Sequence, residues 1–316
     1  MRLIPGFSHK AITQPCTLTV GVFDGMHVGH ETFLRRMADD AHSRGQLAVV
    51  VTFDPHPDVL VHPDSYRGLV LTPTERYQRI VACGIDVILT IAFDTEIRAM
   101  SAAEFMQALC DTMPVRCVWV GWDFALGRGR DGTSERLRSL GEHLGYTTVE
   151  VSQIGDATPP SASFVRDALQ RGEVDVVRNA LGRSHSYSGV VVHGDKRGRT
   201  IGFPTANISI DSRLVLPKYG VYAARVIIAE NTYDSVTNIG IRPTFGGSEP
   251  RIEAHLLDAD VDVYDQIATI FLEGFLRGEQ RFTSIDDLKT QIAHDAQAAR
   301  ALLQSRKNLQ TIQSQV

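Results

Sequence analysis

Ten consecutive residues, Gly21 to His30 (Gly-Val-Phe-Asp-Gly-Met-His-Val-Gly-His), carry the densest chemistry in the chain. The pattern predicts a strand over residues 17–22 and a helix over 31–44, which sets both imidazoles at a helix start. Orphan backbone N–H groups there attract anions. Gly29 lets a phosphate approach the main chain closely. His27 and His30, three apart, share one face of the first turn. Together with Gly21, Phe23 and Asp24 of the same loop, they suit a bound nucleotide phosphate, with Asp24 fixing the loop rather than acting as a base. On its own, H-x-G-H also fits two histidines beside a turn.

A second cluster lies further along. Gly194, Gly198 and Gly202 recur every four residues among Lys196, Arg197 and Arg199. Such a loop can close over a polyphosphate, although glycine and charge alone also fit a solvated hairpin tip. Pro-Thr-Ala-Asn (204–207) follows. In an extended strand Thr205 and Asn207 face the same side. A hydroxyl and an amide oxygen are hard, neutral ligands for Mg²⁺ that also keeps phosphate and water oxygens.

Two kinds of element must hold these clusters. In the first half, apolar runs at 17–22, 47–53, 86–93, 116–121 and 147–151 alternate with helical patterns at 31–44, 74–82, 102–112 and 134–144. This predicts a doubly wound, Rossmann-like parallel α/β sheet with its ligands at the carboxyl ends of strands. A loop over 154–163 and helices over 164–170 and 174–180 close this domain, 1–182. After Gly182 the runs shorten and glycine-bearing turns separate them: 188–193, 221–228, 233–238, 251–257 and 267–275. These predict a small antiparallel β-barrel or sandwich over 183–316. A C-terminal helix over 284–305 ends the chain, with Ser284 and Asp287 as a capping box and Ile285, Leu288, Ile292 and Leu302 at helical spacing.

With 316 residues the chain has room for about two domains, and 43% apolar with 22% charged residues is ordinary for a globular protein with a real core. A formal charge of −5 gives no overall pull toward nucleic acid or an anionic membrane, so phosphate must be held by local sites. The four cysteines show no C-x-x-C spacing and read as free thiols in a reducing compartment. No stretch resembles a signal peptide or approaches the ~18 apolar residues of a membrane span. A cytoplasmic protein with small-molecule partners is expected, with self-association left open.

Further motifs surround both clusters: Phe-Asp-Pro-His-Pro (53–57), Gly-Trp-Asp-Phe-Ala-Leu-Gly-Arg-Gly-Arg-Asp-Gly (121–132) and Ser-Ala-Ser-Phe-Val-Arg (161–166). The second half adds Asn-Ile-Gly-Ile-Arg-Pro-Thr-Phe (238–245), Ile-Glu-Ala-His-Leu-Leu-Asp (252–258) and Phe-Leu-Arg-Gly-Glu-Gln-Arg-Phe (275–282). The Gly21–His30 motif resembles the nucleotidyltransferase superfamily. Taken together, nearly all of residues 17–302 resemble the bacterial bifunctional riboflavin kinase/FMN adenylyltransferase (FAD synthetase) family.

The resemblance implies that the barrel phosphorylates riboflavin with ATP to FMN, and that the nucleotidyltransferase domain adenylylates FMN with a second ATP to FAD and pyrophosphate. It gives His27 and His30 the phosphates and the transition state, Ser163 and Arg166 the ATP phosphates, and Asp123 the flavin. In the barrel it gives Gly194, Lys196, Gly198 and Gly202 to ATP, Thr205 and Asn207 to Mg²⁺, and Arg277 and Glu279 to the flavin side. Glu253 maps onto the base that takes the ribityl 5′-hydroxyl proton. Ala125 replaces a usual arginine and Ala162 a usual serine, which leaves open a chain in which only the kinase half works. Another phosphorylated acceptor, a phosphopantetheine or sugar phosphate, also fits H-x-G-H by itself. A flavin-binding regulator that senses FMN and contacts RNA or protein without turnover fits less well, given the −5 charge and the want of an arginine-rich or aromatic RNA platform.

Overall fold

The computed structural model describes residues 2–7, 12–152, 160–194, 198, 201–244, 247–259 and 261–313. The chain divides into two compact units, Met1–Ala162 and Ser163–Val316. Lys196, Arg197 and Arg199, and most of the expected 154–163 loop, lie outside the described residues.

The first unit contains, in chain order, β1 (Arg2–Pro5), β2 (Cys16–Val20), α1 (Val28–Ser43), β3 (Leu47–Phe53), α2 (Asp58–Val61), α3 (Pro73–Ala82), β4 (Val87–Ile91), α4 (Thr95–Ala99), α5 (Ala102–Thr112), β5 (Val115–Gly121), β6 (Ala125–Leu126), β7 (Gly132–Thr133), α6 (Ser134–Leu144) and β8 (Thr147–Val151). A parallel sheet of six strands runs β1-β4-β3-β2-β5-β8. Leu-Ala-Val-Val-Val-Thr-Phe of β3 is buried along its centre, as a strand covered on both faces must be. Alternate residues build two cores. Leu18, Val49 and Leu89 meet Phe105, Leu109 and Leu137 of α5 and α6. Val50, Ile88 and Trp119 meet Leu34, Met37 and Ile80 of α1 and α3. The chain winds outward from β2 through β3 to β4, then restarts at β5 on the other side of β2. That reversal opens a crevice at the carboxyl ends of β2 and β5. The expected strands and helices are all present; the edge strand β1 is an addition.

The second unit holds α7 (Ala162–Arg171), α8 (Val174–Leu181), β9 (Ser186–Val192), β10 (Ala206–Ile210), β11 (Gly220–Ile228), β12 (Asn231–Thr244), β13 (Gly247–Leu256), β14 (Ile267–Arg277) and α9 (Ile285–Gln313). Its six strands close as a barrel, β10-β13-β12-β11-β14-β9, every pairing antiparallel. The barrel, not the sandwich, is therefore the architecture. The compact unit starts at Ser163 rather than at 183. Its two leading helices pack on the barrel: Lys218 N–H donates to Leu169 O at 2.9 Å, and Arg178 on α8 pairs with buried Glu273 on β14.

Helix α9 also differs from expectation. Ile285 is 62% exposed, and the contact with Val221, Ala223 and Val236 of the barrel is made by Ala296, Ala299 and Leu303, with the expected Leu302 packed beside them. Two alanines let the helix backbone approach the wall, so small residues line the seam. No helix among the described residues is long and apolar enough to cross a membrane.

Candidate active sites

Beyond β2, Gly21 N–H donates to Val51 O at 2.9 Å and the chain turns sharply. Phe23 and Met26 have positive φ, +54° and +43°, in a region that non-glycine residues avoid. The Phe23 ring lies over Gly21, where a Cβ would stand 2.8 Å from a ring carbon. Its face meets His30 edge-on, with centroids 5.1 Å apart. Asp24 is buried, and its carboxylate accepts from the N–H groups of Val70 (3.0 Å) and Leu71 (3.3 Å). It anchors the loop to a second segment.

Helix α1 starts three residues earlier than the pattern predicts, so His27 becomes the N-cap: its Nδ1 accepts from His30 N–H at 3.2 Å. An acceptor Nδ1 leaves the proton of the neutral ring on Nε2. The two rings stack, with centroids 3.6 Å apart and 21° between planes. His30 Nδ1 is covered and has no hydrogen-bond partner among the described residues. Burial, with His27 beside it, holds the His30 pKa well below the usual imidazole range. The N-terminus of α1, beside a switch point, fits a phosphate oxygen through its backbone N–H groups.

Three other expected site residues fall just beyond a strand end or on α7. Asp123 is exposed just after β5, beside Trp122, and its carbonyl accepts from Arg130 Nη2 at 2.9 Å. Ala125 opens the short hairpin of β6 and β7. Ser163 is exposed and Arg166 buried on α7, within the second unit.

In the barrel, alternation sends Ala206, Ile208, Ile252 and Ala254 inward and Asn207, Arg251 and Glu253 outward. Register puts Asn207 directly opposite Glu253. Thr205 immediately precedes β10. Gly194 lies against the Asn207 amide, where a Cβ would fall 2.3 Å from Nδ2. Gly198 packs on Phe203 O, and its Cβ would also stand 3.5 Å from Thr205 Oγ1. Gly202 has φ +88° and so needs glycine. Asn207 and Glu253 thus pair across adjacent strands, with Thr205 just before β10, and these donor types fit Mg²⁺ shared with phosphate oxygens.

Arg277 is less available than its motif suggests. Nε and Nη2 donate to the Asp295 carboxylate of α9 at 2.8 to 3.1 Å, and Nη1 donates to Gly278 O. Glu279 is exposed, with its Oε1 against Gly240 of β12. Sequence reasoning passed over Arg251, which touches both Asn207 and Glu253. Its position two residues before Glu253 on an alternating strand was the available signal. The thiols take no part: Cys16, Cys83 and Cys117 are buried, and burial pushes Cys16 up to about 12.

Two family models match the chain, FAD synthetase over residues 9–162 and riboflavin kinase over 181–303. Fold and matches together define a two-module transferase. Bifunctional riboflavin kinase/FMN adenylyltransferases align along nearly the whole length. The Escherichia coli K12 protein is 36% identical over 95% of this chain and 97% of its own. The Pseudomonas fluorescens protein is 38% identical over 96% and 98%, and the Bacillus subtilis protein 33% over 89% and 90%. A Streptococcus pneumoniae crystal structure described as a macrolide-efflux protein superposes with a TM-score of 0.85 and 28% identity, covering 95% of this chain and 99% of that one. The chain belongs to the bifunctional riboflavin kinase/FMN adenylyltransferase family. The presence of both domains favours two activities over a kinase with a silent partner.

Proposed function

We propose that the second unit transfers the γ-phosphoryl group of ATP to riboflavin, and that the first transfers AMP from ATP to the FMN so formed. The observation that carries the kinase assignment is the pairing of Asn207 and Glu253 across the barrel wall. Glu253 takes the proton of the ribityl 5′-hydroxyl as that oxygen bonds to the γ-phosphorus. The bond from the γ-phosphorus to the bridging oxygen breaks, and ADP leaves. Thr205 and Asn207 would hold Mg²⁺, which when bound would supply positive charge beside the phosphate oxygens. Gly194, Gly198 and Gly202 let the main chain close on the nucleotide, with Lys196 assigned by its motif alone. Arg277 and Glu279 mark the flavin side.

In the first unit an FMN phosphate oxygen attacks the α-phosphorus and pyrophosphate leaves. No protein nucleophile is needed, so the work is alignment and charge stabilisation. His27 and His30 supply it at the N-terminus of α1, on the loop formed by Gly21, Phe23, Asp24 and Gly29. Asp123 serves the flavin. Ser163 and Arg166 are assigned to ATP phosphates on their sequence match alone. Free, inert thiols support a reducing cytoplasmic location.

A time course of riboflavin, FMN and FAD, separated by chromatography in the presence of ATP and magnesium, tests the whole reading. Sequential appearance of FMN and then FAD is expected. No FAD from supplied FMN would leave only the kinase.

A further inference from the structure

Arg251 belongs to none of the chemistry-bearing motifs, yet its guanidinium bridges two of their members. Nη2 donates to Glu253 Oε1, while Nε and Nη2 reach Asn207 Oδ1 at 3.4 and 3.3 Å. The origin is strand geometry. Residues 251 and 253 share the outward face of β13, and Asn207 faces Glu253 from β10.

The two contacts differ in kind. The carboxylate contact is charge-assisted and strong, whereas the amide contact is long and weak. Asn207 Oδ1 is also the only atom of that amide able to ligate a cation. A guanidinium and a divalent cation repel across a few ångströms, so their sharing of that oxygen is disfavoured.

We propose that Arg251 is a positioning residue: it holds Glu253 in place before and during turnover, and it yields Asn207 to the incoming metal–nucleotide. This rests on the assignment of Asn207 and Glu253 given above. Arg251 therefore weakens nucleotide binding and raises turnover at once. A phosphate-binding arginine would strengthen binding, and a merely structural one would leave binding and turnover moving together.

The test uses the full chain with Arg251→Met and Arg251→Lys. Calorimetric titration with Mg–ADP reads binding, the barrel's share being the component that Asn207→Ala removes. FMN formation at saturating riboflavin and ATP reads kcat, and FAD formation from supplied FMN checks that each preparation is folded. Arg251→Met should bind Mg–ADP about two- to fivefold more tightly, the scale of releasing one weak hydrogen bond. Its kcat should fall about tenfold through lost alignment of the base. Arg251→Lys should recover most of kcat. Unchanged or weaker Mg–ADP binding, or an unchanged kcat, overturns the proposal. If Asn207→Ala removes no binding component and Glu253→Gln keeps the parent rate, the underlying assignment falls with it. Losses in those two variants alongside a silent Arg251→Met sink the Arg251 role alone.

Discussion

Asn207 and Glu253 stand directly opposite each other on adjacent antiparallel strands, with both side chains on the outer face of the barrel. The proposed base and the proposed metal ligand thereby sit on a strand-built wall rather than on loops. Glu253→Gln keeps the shape and removes the proton acceptor. FMN formation should fall by about 10²- to 10⁴-fold, the usual span for a general base. Conversion of supplied FMN to FAD should continue at the parent rate in the same assay.

The stacked pair of His27 and His30 gives the opposite separation. Replacing both with alanine should abolish FAD formation and spare FMN formation. Equal loss of the two products would contradict separate sites.

His30 also makes stability depend on pH in a defined direction. Its folded pKa lies well below the usual value because of burial and then His27. The unfolded chain thus binds a proton at about pH 6.5 that the folded chain refuses. Stability should fall as pH drops below about 6.5 and level off only below the folded pKa. Melting temperatures of the parent and of His30→Asn, measured from about pH 7.5 to about pH 5.5, should show a steeper fall for the parent. Parallel curves would assign the slope to other groups.

Gly194 leaves no room for a side chain. A Cβ would fall 2.3 Å from Asn207 Nδ2, so Gly194→Ala must displace the amide. The variant should lose about tenfold in Mg–ADP affinity at the barrel, roughly one misplaced ligand's worth. Residue 194 lies beyond the end of β9, so the melting temperature should hardly change. Calorimetry and a thermal melt on the same sample decide the matter.

The Arg277–Asp295 pair fastens α9 to the end of β14, with both side chains largely shielded. Asp295→Ala strands a guanidinium in poorly hydrated surroundings, at a cost of about 3 kcal/mol. Limited proteolysis should then cut α9 earlier than in the parent, and FMN formation should decline as the helix loosens. Unaltered cleavage would show that the Ala296, Ala299 and Leu303 seam suffices.

Much of the molecule is legible before folding. Continuous apolar runs of strand length and β-branched composition such as Leu47–Phe53 read as strands sealed on both faces, and the glycine-bearing turns after Gly182 announce short antiparallel strands. The spacing of H-x-G-H and of Thr205 with Asn207 follows from local geometry, so it can be read directly. Other features resist such reading. β1 is four residues long with one of them buried, too short for a period, and is defined by its pairing with β4. The seam of α9 is set by alanines whose role depends on how closely the barrel wall approaches. Boundaries are likewise matters of packing: α7 and α8 read as the end of the first domain and fold with the second.

Residue type and local period therefore determined which groups are present and which face of a strand or helix each occupies. Tertiary structure decided which of them meet. The clamp of Asp24 on Val70 and Leu71, and the reach of Arg251 to Asn207, join groups on different strands or loops. Such contacts depend on strand register and loop path, which the whole fold fixes through burial and hydrogen-bond pairing, and no single segment encodes them.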